Sequence, residues 1–348
     1  MKTHLEAWQI SADDFPADNP TSDQIEFLLG YAILAPSSHN TQPWFFRLNA
    51  MDVEILADRR RALPVVDPFD RELTMSCAAA LYNLRVAAEY FGHRYQVSLL
   101  PDPADANLLA RFELGLRCET SSEDVLLFHA IPKRHTNRQP FSPEPVPEVV
   151  LNALEAAACK EGAWLQVVRG EDARNAVADL IAEADRVQWA NKRFREELAG
   201  WVRTKADDAR DGLSGHALGV KDWLSLAGPA LIRTFVRGGG QAAKDRDIAI
   251  HSPVLVVLGT DEDNALNWIA AGQALQSVLL RARTEDVWAS FLSQPVQVED
   301  LRPRIGEVTG CGGCPQALLR LGYGPEEVPT PRRGIRELLA RHRSTHSE

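Results

Sequence analysis

Residues 35–45 read APSSHNTQPWF. Three hydroxyls (Ser37, Ser38, Thr41), two amides (Asn40, Gln42) and an imidazole stand between Pro36 and Pro43, just ahead of the aromatic Trp44-Phe45-Phe46. Such a run is either a turn or a surface offering donors and acceptors to something bound. A second polar cluster, KRHTNRQPF at 133–141, sets Arg134 and Arg138 around His135, Thr136 and Asn137. Two forked guanidiniums with a hydroxyl and an amide between them suit a phosphate monoester; a basic turn before a helix reads equally well. A third cluster, TPRRG at 330–334, puts Arg332 and Arg333 on a Pro-restrained extended backbone, as further phosphate ligands or as a solvated basic tail. Cys311-Gly-Gly-Cys314 has redox-pair spacing, but no second Cys or His pair follows, so it reads as a local turn and no metal site is expected.

Composition narrows the choice. The 348 residues are 45% apolar and 25% charged, with a formal charge of −10. An acidic chain of this kind excludes nucleic acid or anionic membrane as the general partner, so a phosphate site must come from a local cluster of Arg and backbone donors. The N-terminus lacks an apolar segment behind a basic start, and no apolar stretch approaches the ~20 residues that cross a bilayer. Five scattered cysteines suggest no disulfide framework. The expectation is a soluble cytoplasmic protein. No G-x-G-x-x-G follows a strand, so a nicotinamide cofactor, if used, visits rather than resides.

The chain carries one unit twice. TMSCAAALYNLRVAAEYFG at 74–92 lies over WIAAGQALQSVLLRARTED at 268–286, with Ala80-Leu81 on Ala274-Leu275 and no gap. Both read as helices buried on nearly every side, each followed by a strand, YQVSLL or VWASFL. Upstream, IEFLLGYAILAPSSHNTQPWFFRL matches VVLNALEAAACKEGAWLQVV, which places Trp44 over Trp164. The second copy is about 74 residues longer, the excess falling between Glu171 and Ile250. That insertion begins with two charged amphipathic helices, then DGLSGHALG, DWLSLAGPALIRTFV and a flexible GGG. It is either a lid over a site or a helical addition to the core. The halves are 20–128 and 129–340, with the insertion at about 171–250 and SSEDVLLFHAIPK as the join. Fused copies are expected to meet face to face as an intramolecular pseudo-dimer, leaving the protein a monomer or a weak homodimer.

These motifs together resemble the FMN-dependent nitroreductases. APSSHNTQPW is similar to that family's Pro-Ser-Ser-x-Asn-x-Gln-Pro-Trp segment, the run 134–138 to its opening Arg-x-Ser-x-Arg, and Leu321-Gly322-Tyr323 with Arg332 and Arg333 to its C-terminal end. RHTNRQPF, AAGQALQSVLLRA and PQALLRLGYG…TPRR resemble the Acg-like branch, in which two units are fused, and the likeness runs from about residue 20 to 340. It implies an α+β, nitroreductase-like fold of two units, each a mainly antiparallel sheet packed around a long central helix. It also implies that FMN lies between the halves. Arg134, Thr136, Arg138, Arg332 and Arg333 would hold the phosphate, with His135 and Asn137 beside them. Pro36, Ser37, Ser38, Asn40 and Gln42 would approach from across the interface. Ser290, Ser293 and Gln294, in the loop after the second central helix, would lie near the ring. The motifs are divided: the first half lacks the Arg run, and the second has only ACKEGAW in place of the polar run. That leaves one complete site and one dead one. The implied activity moves hydride from NAD(P)H to the flavin and two electrons on to a nitro compound, quinone or similar acceptor, with no protein nucleophile. The alternative is a flavin-sequestering protein whose insertion closes the site.

Overall fold

The computed structural model describes residues 4–204, 208–214, 232–233 and 238–339; most of DGLSGHALG and all but two residues of DWLSLAGPALIRTFV lie outside them. Each half follows the same path. In the first, helix α1 (Thr21–Ala32) leads to strands β1 (Trp44–Leu48) and β2 (Asp52–Ala57), the central helix α2 (Arg71–Tyr90), then β3 (His93–Leu99) and β4 (Leu108–Arg117). A further helix, α3 (Ser122–Ala130), occupies the join and opens with a capping box between Ser121 and Asp124. In the second half, α4 (Glu148–Lys160) precedes β5 (Trp164–Val167), and the insertion follows with α5 (Glu171–Ala190), α6 (Lys192–Trp201), β6 (Val202–Arg203), β7 (Leu213–Ser214) and α7 (Gly238–His251). Then come β8 (Val254–Thr260), the central helix α8 (Ala265–Thr284), β9 (Trp288–Phe291) and β10 (Cys314–Gly322).

The two antiparallel sheets have strand orders β1-β2-β4-β3 and β5-β8-β10-β9, so the topology repeats strand for strand. Trp44 opposes Ala57 and Trp164 opposes Gly259 at the same point of each sheet. The fold is α+β, as expected, and the duplication read from the central helices keeps its register without a gap.

Those helices pack directly on each other. Their contact is close because the residues are small: a Cβ on Gly272 would stand 2.2 Å from the Met75 carbonyl oxygen and 2.7 Å from the Ala78 Cβ. Ala78 and Gly272 are equivalent positions in the aligned copies. Tyr82 Oη donates to Ser277 Oγ at 2.9 Å, and Gln276 Nε2 donates to Asn83 Oδ1 at 2.6 Å. Since Gln276 aligns with Tyr82 and Ser277 with Asn83, these are one reciprocal contact made twice, as a two-fold interface requires. Met75 is buried in the second half's core while its counterpart Ile269 is buried in the first's.

The insertion contains more than one kind of structure. Along β8 every residue is buried: Val254, Val256 and Leu258 face the core shared with α4 and α8, while Leu255 and Val257 face α5. Helices α5 and α7 pack together on that second face, so this part adds core. The GGG expected to be flexible opens α7. By contrast β4 buries only one side along Phe112–Leu114 and ends exposed. Helix α6, Val202 and Leu213 instead pack on Leu63 and Val66 of the first half. The chain end also crosses over: Leu339 bridges Phe46 in parallel, and Leu338 is buried in the first core. Among the described residues no helix is long and apolar enough to cross a membrane.

Gly272→Ala tests the close crossing by sign. In a helix this change ordinarily gains about 1 kcal/mol. Here the added methyl has no room, and urea unfolding should show a net loss of about 1–3 kcal/mol. Gly200→Ala in α6, where nothing lies within 4 Å, should show the ordinary gain.

Candidate functional site

The polar run is held in an unusual backbone. After α1 it forms a 3-10 turn, Ser38–Asn40, and His39, Asn40 and Gln42 have φ of 50°, 54° and 50°. Left-handed residues other than glycine cost roughly 1–3 kcal/mol each and persist only where neighbours over-determine them. The neighbours come from three directions. Ser37 Oγ accepts from Gln42 N at 2.9 Å within the run. From the C-terminal arm, Arg332 Nη1 donates to Asn40 Oδ1 at 2.8 Å and Arg333 N to Gln42 Oε1 at 2.8 Å. From the insertion, Asn40 Nδ2 donates to Gly212 O at 3.2 Å and Gln42 Nε2 to Arg210 O at 2.8 Å. Asn40 and Gln42 were expected to face a cofactor. Their amides fasten the arm and the insertion to the first half. Pro36 is buried beside them.

The second and third clusters meet at this place. Arg134, 3% exposed, donates through Nη2 to Leu34 O at 3.0 Å; Arg332, 4% exposed, donates through Nη2 to Ala35 O at 3.1 Å. Neither has a carboxylate partner among the described residues, and each leaves Nε without an acceptor. Burial pushes the Arg134 pKa down to about 10, and burial followed by repulsion from Arg134 lowers that of Arg332. Arg283, stacked 3.8 Å over Trp288, also has unpartnered Nε and Nη1. His135 lies between Trp8 and Trp288 and hydrogen-bonds Glu327 O through Nε2. Its pKa falls to about 4, from burial first and then from Arg134, Arg283 and Arg332. Arg138 is reached by solvent, yet surrounding protein still lowers its pKa by desolvation, as in the wall of a cleft. Among the described residues it has no hydrogen-bond partner.

The other expected residues frame this cluster. Asn137 Nδ2 donates to Pro325 O at 2.7 Å, and Thr136 beside it is half-buried. Ser290 opposes Arg320 in the sheet, Ser293 Oγ lies 3.4 Å from Leu318 O, and Gln294 Nε2 donates to Asp245 Oδ2 at 3.1 Å. Arg333 is partly neutralised, its Nε donating to Glu337 Oε1 at 2.7 Å. Cys311 and Cys314 are free thiols flanking a turn at Gly313, distant in sequence from these loops.

No protein-family model matches the chain. A Mycobacterium tuberculosis protein named "Putative NAD(P)H nitroreductase" is 31% identical over 330 residues, covering 92% of this chain and 92% of its own. The chain belongs to the NAD(P)H nitroreductase family. A second relative from that organism, "Putative NAD(P)H nitroreductase acg", is 28% identical over 326 residues, 92% of this chain and 96% of its own, in keeping with the Acg-like resemblance of the motifs. Among solved structures, the FMN-dependent nitroreductase NfnB from Mycobacterium smegmatis in complex with NADPH is 17% identical, with a TM-score of 0.41, covering 64% of this chain and 100% of that one.

In this member of the family the sequence motifs miss one residue that ties the site together. Glu72, at the start of α2, accepts from Ser38 Oγ, from Gln297 Nε2 at 3.1 Å on both oxygens, and from Arg71 Nη2 at 3.1 Å. Gln297 in turn accepts from Gln188 of α5 at 2.9 Å. One carboxylate thus joins the polar run, the loop after β9 and the insertion. His39 sits in the field of Glu72 and Arg138; burial lowers its pKa to about 4, so it is neutral at pH 7. A carboxylate one residue into an apolar helix carries no spacing signal, which is why the sequence is silent on it. Glu72→Ala would remove the carboxylate bonded to the buried Arg71, leaving only the more weakly acting Asp67 and Asp263, and should cost about 3 kcal/mol in urea unfolding. Glu72→Gln, which keeps an acceptor for Ser38, should cost distinctly less.

Proposed function

We propose that this chain binds FMN at the seam between its halves and uses it to pass two electrons from NAD(P)H to a small acceptor such as a nitro compound or quinone. One observation carries the reading: Arg134 and Arg332 are buried together with no carboxylate partner among the described residues, and Arg283 acts with them on His135, in a chain of formal charge −10. Buried guanidiniums that repel each other and leave N–H groups unused lack an anion. A phosphate monoester supplies it: its oxygens accept forked donors, and its charge balances two cations. Arg134, Arg138 and Arg332, with Thr136, would hold that end. Ser37 and Ser38 approach from the first half, and the loop Ser290–Gln294 forms the opposite wall.

When bound, the flavin would supply the hydride chemistry, so no protein nucleophile is needed. The chain's own residues do the remaining work. Asn40 and Gln42 keep the arm bearing Arg332 against the first half, and thereby fix the guanidiniums before any ligand arrives. The cationic surroundings favour a negatively charged form of the bound ring over a neutral one. The segment Arg210–Gly212, bonded to the polar run, excludes water from that side.

That same segment favours a second reading, a flavin-sequestering protein in which the insertion stays shut. Stopped-flow mixing of the FMN-loaded protein with NADPH separates the two. Bleaching of the flavin band within seconds supports turnover, and stable colour over minutes supports sequestration.

Arg134→Met tests the site itself. Removing an uncompensated buried charge should leave the FMN-free protein as stable as before or more so in thermal unfolding. FMN affinity should fall about a hundredfold, near the ~3 kcal/mol upper range of a charge-assisted bond. A variant that binds FMN with unchanged affinity would remove Arg134 from the phosphate site.

A further inference from the structure

One side chain of the polar run has no task in the site described above. Ser37, Ser38, Asn40 and Gln42 all have bonded side chains, Ser38 to Glu72 and the two amides to the arm and the insertion. Between them His39 makes no hydrogen bond from its ring to any described residue, although it stands in the middle of the 3-10 turn with φ of 50°. Left-handed backbone that secures no bond for its own side chain points to a use outside the fold.

The two ring nitrogens differ. Nδ1 is sealed in protein without a partner. The ring is half-buried, and Nε2, which also lacks a protein partner, is the nitrogen that solvent reaches. An orphaned buried N–H is the rarer way to leave Nδ1 sealed, so the proton sits on Nε2 and faces outward. Burial pushes the pKa down to about 4, and the ring is neutral at pH 7. His39 therefore offers a single N–H donor at the seam. The run spans that seam. The carbonyls of Leu34 and Ala35 hold Arg134 and Arg332, the phosphate end of the proposed site. Ser38 reaches Glu72 and through it Gln297, next to the loop proposed to wall the other end. His39 follows Ser38, while Asn40 turns the other way, to the arm.

We propose that His39 is a catalytic residue of the step that passes electrons to the acceptor, its Nε2–H donating to the acceptor oxygen on which negative charge develops. This rests on the function proposed above and names the group that the acceptor meets. A quinone that takes hydride from the reduced flavin gains one oxygen–hydrogen bond and two electrons. Its other oxygen is left negative until water protonates it. A nitro oxygen gathers charge in the same way. A fixed N–H donor, screened from water, stabilises that oxygen more than it stabilises the neutral acceptor. Because the imidazole is neutral, His39 keeps its proton throughout, and the proton that completes the product comes from water. The polarity sets the ligand class: an acceptor that presents oxygen lone pairs.

Two experiments on the full chain test this. Nitrogen NMR of the imidazoles in the FMN-free wild type at pH 7, with His39 assigned through its backbone, should show the Nε2–H tautomer. The Nδ1–H tautomer overturns the proposal, whether or not any variant folds. The second experiment is anaerobic stopped flow on FMN-loaded protein. Asn tolerates left-handed backbone, and its short amide stands where Nδ1 was, so His39→Asn removes the outward donor; the longer amide of His39→Gln reaches the place of Nε2. NADPH should bleach the flavin band at the wild-type rate in both variants. Re-oxidation by a benzoquinone should slow about a hundredfold in His39→Asn and largely recover in His39→Gln. Re-oxidation by ferricyanide, which takes single electrons and no hydride, should not change. An unchanged quinone rate in His39→Asn, an equal loss with ferricyanide, or no recovery in His39→Gln overturns the role of His39 and leaves the proposed function standing. If the wild type binds no FMN, or NADPH does not bleach it, the proposed function falls and this role falls with it.

Discussion

Everything in this molecule is arranged around the place where α2 and α8 touch. Their approach at Gly272 and Ala78 is closer than larger side chains permit, and it fixes the two halves as a pseudo-two-fold pair. Once that contact is set, Met75 and Ile269 each enter the other half's core, and the Tyr82–Ser277 and Gln276–Asn83 bonds follow from symmetry. The operation also generates two seams between the halves. The seams share one geometry but differ in chemistry. At one, the polar run meets the arginines. At the other, where α4 ends in a short loop, Glu161 pairs with Arg85 and Lys160 with Glu123, and α3 packs its Phe128 ring 3.7 Å from Tyr90. Ion pairs and stacked rings occupy the ground that the proposed ligand would have on the first side.

The surviving seam gathers strain and charge together. Three non-glycine residues in left-handed backbone and at least two uncompensated buried guanidiniums are each unfavourable alone. They coexist because the same bonds answer both problems. Arg332 stabilises Asn40 in its strained conformation, and Asn40 gives the guanidinium a neutral acceptor without cancelling its charge. A carboxylate in that position would satisfy Arg332 more strongly and would also remove the reason for an anion to bind. Neutral acceptors orient the cation and leave its field intact, which suits a binding site better than an ion pair does.

Much of the architecture was legible because repetition leaves a direct trace. Aligning Ala80-Leu81 with Ala274-Leu275 reproduces the helix bounds of α2 and α8 position for position. The three polar clusters were legible as well, since Arg in an acidic chain and Ser-Ser-His-Asn beside an aromatic strand stand out against their surroundings. What the sequence concealed was the division of labour inside the clusters. Asn40 and Gln42 read as ligand residues, and only their partners, 168 and 291 positions away, show that their amides also act as fasteners. Arg283 and Glu72 were invisible for the same reason, being single charged residues on otherwise buried helices. The insertion did carry a signal. The unbroken apolar run VLVVLG of β8 calls for cover on both faces, whereas the alternation in RFELGLR of β4 does not. Helices α5 and α7 are that cover.

The insertion therefore links core stability to the site, which neither a simple lid nor a simple embellishment would do. Its helices α5 and α7 are buried against β8 and β10 for the same reason that any amphipathic helix covers a sheet. Asp245 and Gln188 project from that buried layer to the loop of Gln294 and Gln297, and from there the contacts run through Glu72 to Ser38 in the first half. In its other part α6 packs on the first half, and Arg210 and Gly212 hold the polar run from outside. A seam between two halves opens most easily by rotation about the helix contact at its base. Contacts that cross it at the far ends resist that rotation with the greatest leverage. In a pair of separate subunits those far contacts would have to come from each partner's own surface; fusing the copies lets a single insertion supply them to one seam and leave the other to close on itself.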